Sequence, residues 1–287
     1  MAIGNFDGVH LAHQKMLDQF FQRADKKKLY KLALVMVPHP AIKLRDIKRY
    51  LINTYAQRRQ KLLDLGFDQV FEVDFDDHFR SLCAVDFFRD YVESLSVKLM
   101  TTGHDLRIGC DQLSVEHTVE KNGSAVEWMV MRPVRSEGGE VISSTKIREA
   151  LQTGDVKKAQ NYLGRPFYIE GEVVEGKKIG KTIGFPTINL EIDPNQIVPK
   201  FGVYIVNVVH KFGESFGLVN IGNNPTVSPD RSLKVEAHLL DFDGDLYHSR
   251  VLLSFLEFIR PEKKFESLND LREQISKDIL FTRGQIE

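Results

Sequence analysis

The chain has 287 residues, 42% of them apolar and 28% charged, and a formal net charge of −1. Those proportions are typical of an ordinary folded water-soluble protein, and the length exceeds one domain, so two domains of roughly 150 residues are expected. The near-zero charge excludes a broad basic footprint for nucleic acid or an anionic membrane, yet it leaves room for small basic pockets that hold phosphate-bearing small molecules.

The first half alternates helix-like and strand-like segments. Met16, Leu17, Phe20, Phe21 and Ala24 recur at helical spacing, and residues 31–37 read as a buried strand. The pattern continues with a helix over 55–65, a strand over 69–75, a helix over 85–95 and a strand over 97–102. A further strand follows over 126–131, then helices over 146–152 and 156–162. Repeated βα units predict a parallel sheet covered on both faces, a Rossmann-like α/β domain. From Gly164 the texture changes to six short strand-like segments, 167–174, 185–192, 203–209, 216–221, 234–241 and 250–258, separated by Gly, Pro, Asn or Asp. Six close strands without helices between them predict a mainly antiparallel β-barrel. A helix over 267–279, with Leu268, Leu271 and Ile275 on one stripe, ends the chain. The boundary is placed between Leu163 and Gly164, giving domains 1–163 and 164–287.

Cys83 and Cys110 have neither metal-ligand spacing nor a framework pattern, which predicts a reducing, cytoplasmic setting. No apolar run reaches the ~18 residues of a membrane span. Residues 1–7 lack the pattern of a signal peptide. Gly4 follows only three residues, fewer than the usual ~5–6 of a strand, so a segment upstream is expected.

Gly4, Asn5, Phe6, Asp7 and Gly8 join an apolar start to a helix, where backbone N–H groups and the helix dipole favour an anion. His10 and His13 share one helix face and could donate to phosphate oxygens; a zinc pair or two uninvolved surface histidines are the alternatives. Ser143, Ser144 and Thr145 open a later helix, where hydroxyls are first of all caps. With Lys146 and Arg148 beside them they also suit a polyphosphate, Arg148 through a bidentate contact.

These segments resemble the nucleotidylyltransferase superfamily, with its HxGH-type and SSTxIR-type motifs. The lead-in Gly4 to Gly8, the Pro38-His39-Pro40 run and the Gly103 to Gly109 segment are similar to its FAD synthetase branch. The resemblance implies an FMN adenylyltransferase domain in which Asp105 and Arg107 shape the flavin side.

In the second half the glycines of the 171–184 segment, among them Gly176 and Gly180, together with Lys177, Lys181 and Thr182, would let a loop wrap phosphates; a flexible basic hairpin is the plain alternative. Thr187 can offer a hydroxyl, and Asn189 an amide oxygen, to Mg²⁺ from one face of a strand. Pro186-Thr187-Ile188-Asn189 resembles the PTAN motif of riboflavin kinases, and the likeness runs through residues 164–287. It implies that Asn189 also contacts flavin and that Glu236, otherwise a strand carboxylate facing solvent, is the base. Together the two halves resemble the bacterial bifunctional FAD synthetase family, which implies ATP, riboflavin and FMN as substrates and Mg²⁺ as cofactor. Ala12, Leu106 and Ile108 depart from the family pattern and motivate one alternative, a riboflavin kinase with a weakened or inactive adenylyltransferase domain. A non-catalytic flavin or nucleotide sensor is the other.

Overall fold

The computed structural model describes residues 1–114, 117, 126–176, 180, 183–223 and 233–286. Its contacts divide the chain into two units, Met1–Ser144 and Thr145–Glu287.

The first unit runs β1 (Ala2–Ile3), α1 (Leu11–Lys26), β2 (Leu32–Val37), α2 (Pro40–Arg45), α3 (Tyr55–Leu65) and β3 (Gln69–Asp74). It continues with α4 (Asp77–Ser81), α5 (Ala84–Phe87), β4 (Leu99–Gly103), the short strands β5 (Arg107–Ile108) and β6 (Leu113–Ser114), and β7 (Glu127–Met131). Five strands form one sheet in the order β3-β2-β1-β4-β7, every pair parallel. The sheet is apolar on both faces, as a βα pattern requires. Ala33 and Val35 of β2 pack with Met16, Leu17, Phe20 and Leu62 on one side. Leu34 packs with Phe87, Phe88, Val92 and Met100 on the other.

Local chemistry sets the helix ends. Thr54 and Gln57 form a reciprocal capping box at α3, which stops at Gly66 with φ 115°, a left-handed stop that glycine adopts without penalty. His39 caps α2, with Pro40 in its first turn, where a missing N–H costs nothing. The helix expected over 85–95 is two pieces, α5 and one π-helical turn over Phe88–Glu93.

Helix α6 (Ser144–Thr153) begins on the last residue of the first unit and otherwise belongs to the second, where α7 (Val156–Leu163) follows. Strands β8 (Tyr168–Val174), β9 (Ile188–Ile192), β10 (Gly202–His210), β11 (Gly213–Asn223), β12 (Leu233–Leu239) and β13 (Arg250–Arg260) follow, then α8 (Leu268–Ile286). The six strands close into a barrel in the order β10-β11-β12-β9-β8-β13, with every neighbouring pair antiparallel. The compact division therefore puts α6 and α7 with the barrel: Lys200 N–H donates to Leu151 O at 2.8 Å, and Lys157 pairs with Glu257 of β13 at 2.9 Å.

Alternation along the strands sorts their side chains. Val219, Ile221, Val235, Ala237, Leu253 and Phe255 are buried in the barrel interior, which is filled as in other small barrels. Residues between them face outward, and α8 covers part of that outer face. The apolar stripe expected on α8 is shifted: Leu268 is 59% exposed, whereas Leu271, Ile275 and Asp278 face the barrel. The reason is a latch. The Arg260 guanidinium grips the buried Asp278 carboxylate through Nε at 3.0 Å and Nη2 at 2.7 Å, and Gln274 adds a bond at 2.9 Å. That bidentate contact fixes the rotation of the helix.

Candidate functional site

In the first unit β1 and β4 are parallel neighbours with Ile3 opposite Thr102. The loops leaving their carboxyl ends, residues 4–8 and 103–109, therefore emerge side by side. This is where the strand order reverses, the crevice in which open α/β sheets bind ligands. Ser144 joins them, its Oγ donating to Asp7 O at 2.8 Å. Sequence-distant motifs thus converge, with Ser143 beside Ser144. Thr145, exposed, and Arg148, buried, follow on α6.

The 4–8 loop is a tight left-handed turn. Phe6 has φ 48°, Gly8 86° and Val9 42°, and Val9 N–H donates to Phe6 O at 3.1 Å. Bulky residues hold such angles at a cost of about 1–3 kcal/mol each, and only where the surroundings enforce them. Here Phe6 and Val9 are both buried in the core. The Asp7 carboxylate faces inward: its Oδ1 accepts from Ile52 N–H at 2.9 Å and Asn53 N–H at 3.3 Å. Arg58 donates to Asn5 O at 3.1 Å and to Met36 O at 3.4 Å, tying the loop to the end of β2. Burial pulls the Arg58 guanidinium below its usual range, and Asp7 and then Glu72 act against that pull.

The turn delivers His10 to the N-cap of α1, where its Nδ1 accepts from His13 N–H at 3.4 Å. That bond puts the proton of neutral His10 on Nε2. The two rings stack at 3.7 Å and 13°, face to face rather than converging on one ion. Among the described residues no group of three or more His, Cys, Asp or Glu is placed to hold a metal. His13 Nδ1 and Asn5 Oδ1 are both buried without a hydrogen-bond partner among the described residues, two polar atoms that a bound phosphate or amide could satisfy. Burial, and next the neighbouring His10, hold the His13 imidazole well below its ordinary value, so it is neutral at pH 7.

After β4, Asp105 and Arg107 are exposed. The Asp105 carboxylate folds back over Gly103, 3.0 Å from where a Cβ there would lie. Ile108 is buried with Phe87 and Phe88, and Leu106 packs against the same cluster.

In the second unit the outer faces of β11, β12 and β9 carry a row of polar side chains. Glu236 is register-paired with Asn220 on one side and Asn189 on the other. Thr187 Oγ1 donates to Glu236 Oε1 at 3.3 Å, and Lys234 Nζ donates to Oε2 at 2.6 Å. Asn220 Nδ2 reaches Glu262 at 3.3 Å, and His238 Nδ1 lies 2.7 Å from Pro186 O.

Thr187, Lys234 and Glu236 open into a cavity of about 290 Å³, walled by Phe185, Leu218, Phe265, Leu271 and Ile275. One charged end and apolar walls suit an aromatic ring with a polar tail. The glycine-bearing segment lies against this row. A Cβ on Gly176 would come within 2.0 Å of Asn189 Nδ2, and one on Gly180 within 2.3 Å of Phe185 O and 3.1 Å of Thr187 Oγ1. At Gly180, where the neighbour is backbone, only glycine permits that approach; at Gly176 the Asn189 side chain would have to turn aside. Lys177, Lys181 and Thr182 lie outside the described residues.

Sequence reasoning missed Lys234, Glu262 and the Arg260–Asp278 latch. Lys234 was discoverable, two residues from Glu236 and so on the same strand face. The latch joins a strand to a helix and has no local signature.

Residues 1–146 match the family model described as FAD synthetase, and residues 163–286 match that of riboflavin kinase. A protein of Bacillus subtilis is 36% identical, with 97% of this chain and 89% of the relative covered. Proteins of Listeria monocytogenes and Escherichia coli K12 are 32% and 35% identical, each with 99% of this chain and 91% of the relative covered. All three are named bifunctional riboflavin kinase/FMN adenylyltransferase. A solved structure from Streptococcus pneumoniae, described as a macrolide-efflux protein, matches at 33% identity with a TM-score of 0.89, over 98% of this chain and 93% of that one. No helix among the described residues is long and apolar enough to cross a membrane. Two family models in series and relatives alike over nearly the whole chain place it in the bifunctional riboflavin kinase/FMN adenylyltransferase family.

Proposed function

We propose that the barrel half phosphorylates riboflavin with ATP and that the α/β half adenylylates the resulting FMN to FAD, releasing pyrophosphate. The observation that carries the reading is the Thr187–Glu236–Lys234 cluster at the charged end of a partly apolar cavity, within the segment matched by the riboflavin kinase model. The activities are assigned to residues 1–163 and 164–287, and the cytoplasm is the proposed location.

In the kinase half Glu236 accepts the proton of the ribityl hydroxyl as it attacks the γ-phosphate, since a neutral hydroxyl is a poor nucleophile at pH 7. The Thr187 hydroxyl and the Asn189 amide oxygen are hard oxygen donors that, with the phosphate oxygens of ATP, fit Mg²⁺ carried in on the nucleotide. When bound, the ion would neutralise charge on the phosphates. Gly176, Lys177, Gly180, Lys181 and Thr182 wrap the phosphates, and Asn189 also meets the flavin. The apolar wall excludes water from the transfer.

In the transferase half the FMN phosphate attacks the α-phosphate of ATP. Its second pKa is about 6, so it is already largely ionised and needs no strong base. His10, His13 and the backbone of residues 4–8 donate to the developing charge, with Ser143, Ser144, Thr145 and Arg148 holding the polyphosphate. Asp105 and Arg107 face the flavin.

Incubation with riboflavin, ATP and Mg²⁺, followed by chromatography, tests both steps. FMN and FAD should appear in succession. FMN alone would remove adenylyl transfer from the reading, and neither product would overturn it.

A further inference from the structure

We propose that Lys234 is a further catalytic residue of the kinase half: it pairs with the Glu236 carboxylate in the structure and turns to the transferring γ-phosphate when ATP is bound. The inference rests on the reading of Glu236 as proton acceptor.

Both oxygens of Glu236 are engaged in the structure, Oε1 by Thr187 at 3.3 Å and Oε2 by Lys234 at 2.6 Å. The attacking hydroxyl has to approach one of these two oxygens, so the contact on that side gives way as substrate seats. Thr187 has a short side chain anchored beside β9. Lys234 has a flexible four-carbon stem with three rotatable donors and is 40% exposed. It is the partner able to leave.

Its destination follows from the other described cations lining the cavity. Arg260 is committed to Asp278 through two nitrogens. Lys263 lies over the Phe265 ring at 5.7 Å. Lys234 alone of these three sits beside the proposed base; opposite it in the ladder is Gly222, over which the Glu262 carboxylate lies. A γ-phosphate delivered to a hydroxyl at Glu236 therefore arrives within reach of this ammonium. In the transfer the hydroxyl oxygen bonds to the γ-phosphorus and the bond to the β,γ-bridging oxygen breaks. The hydroxyl proton passes to Glu236 and ADP leaves. Lys234 offsets charge on the γ-phosphoryl oxygens and forms no covalent bond.

The test uses the full chain and a β,γ-imido analogue of ATP. Binding of the analogue and of ADP, each with Mg²⁺, is measured by calorimetry, with the nucleotide sites of the two halves fitted separately and the kinase-half site compared, for the unaltered protein and for Lys234→Met, Lys234→Arg and Glu236→Gln. Lys234→Met should weaken the analogue about 10-fold, the worth of one charged hydrogen bond, while leaving ADP nearly unchanged. Its kcat should fall about 10²-fold, as when one transition-state donor is removed, with the riboflavin KM little altered. Lys234→Arg should restore part of both. Equal weakening of analogue and ADP, or no weakening of either, overturns the proposal. If Lys234→Met does not fold, Lys234→Gln reads the same difference. Retained turnover in Glu236→Gln would instead remove the base reading, and the analogue-to-ADP comparison would still judge Lys234 separately.

Discussion

Thr187 and Glu236 stand 49 residues apart in sequence, yet a hydroxyl-to-carboxylate hydrogen bond of 3.3 Å joins them, because β12 pairs with β9 on the outer face of the barrel. The bond gives each residue a job in orienting the other, and it makes them separately testable. Glu236→Gln keeps the shape of the side chain and removes proton acceptance. Riboflavin phosphorylation should fall by roughly 10²–10⁴-fold, the usual range for general acid–base catalysis, with riboflavin binding changed far less. Adenylylation of FMN supplied directly should continue. Unaltered kinase turnover would eliminate Glu236 as the base.

Thr187→Val removes the hydroxyl while preserving a branched side chain suited to a strand. If this oxygen helps hold the nucleotide's metal, the Mg²⁺ concentration giving half-maximal kinase rate should rise about 10- to 100-fold. A Mg²⁺ titration showing the same midpoint in both proteins would assign Thr187 to orienting Glu236 alone.

Truncation tests the joint role of α6, which buries Ile147, Ala150 and Leu151, and α7, which buries Val156, Ala159, Tyr162 and Leu163. A fragment beginning at Gly164 should still convert riboflavin to FMN, since every proposed kinase residue lies downstream. It should nevertheless melt roughly 5–10 °C below a fragment beginning at Thr145, because each lost apolar contact is worth about 1–3 kcal/mol before the offsetting chain entropy. Equal melting temperatures would show that α6 and α7 together add nothing to the barrel, and a folded Gly164 fragment without kinase activity would refute independence.

His13 supplies a pH prediction. Its folded-state pKa is held well below 6.5, first by burial and then by His10. The unfolded chain therefore binds a proton that the folded chain refuses once the pH drops below about 6.5. Stability conferred by the neutral ring is complete above that pH and is lost toward the folded-state value, at up to ~1.4 kcal/mol per pH unit. Urea denaturation near pH 7.5 and near pH 5.5 should show a larger loss for the unaltered protein than for His13→Asn. Identical losses would mean that the ring is not buried in its neutral form.

Much of this was legible in the residues because the relevant signals are short-range. The βα alternation and the change of texture at Gly164 predicted the parallel sheet and the barrel, and α3 runs over the expected 55–65. Motif residues such as Gly4–Gly8 and Ser144 could be named, but not the contact that joins them at Asp7 O. Strand β9 begins at Ile188 rather than 185, since Pro186 has no N–H to give a ladder. The inward use of Asp7 was hidden because its partners, Ile52 and Asn53, offer only backbone N–H groups, which carry no side-chain signature. The shifted stripe of α8 depends on Arg260, a residue of another element.

The alternation on β12 has a consequence for how such a protein can change. Val235, Ala237 and Leu239 are buried inward, while Lys234, Glu236 and His238 line the cavity. A library confined to the even positions should therefore explore new phosphate acceptors without disturbing the interior, and one confined to the odd positions should alter thermal tolerance at constant chemistry. Deletion of a single residue within the strand would exchange the two sets at a stroke. The cradle of the reaction and the keel of the fold are separable to substitution, yet inseparable to a shift of reading by one.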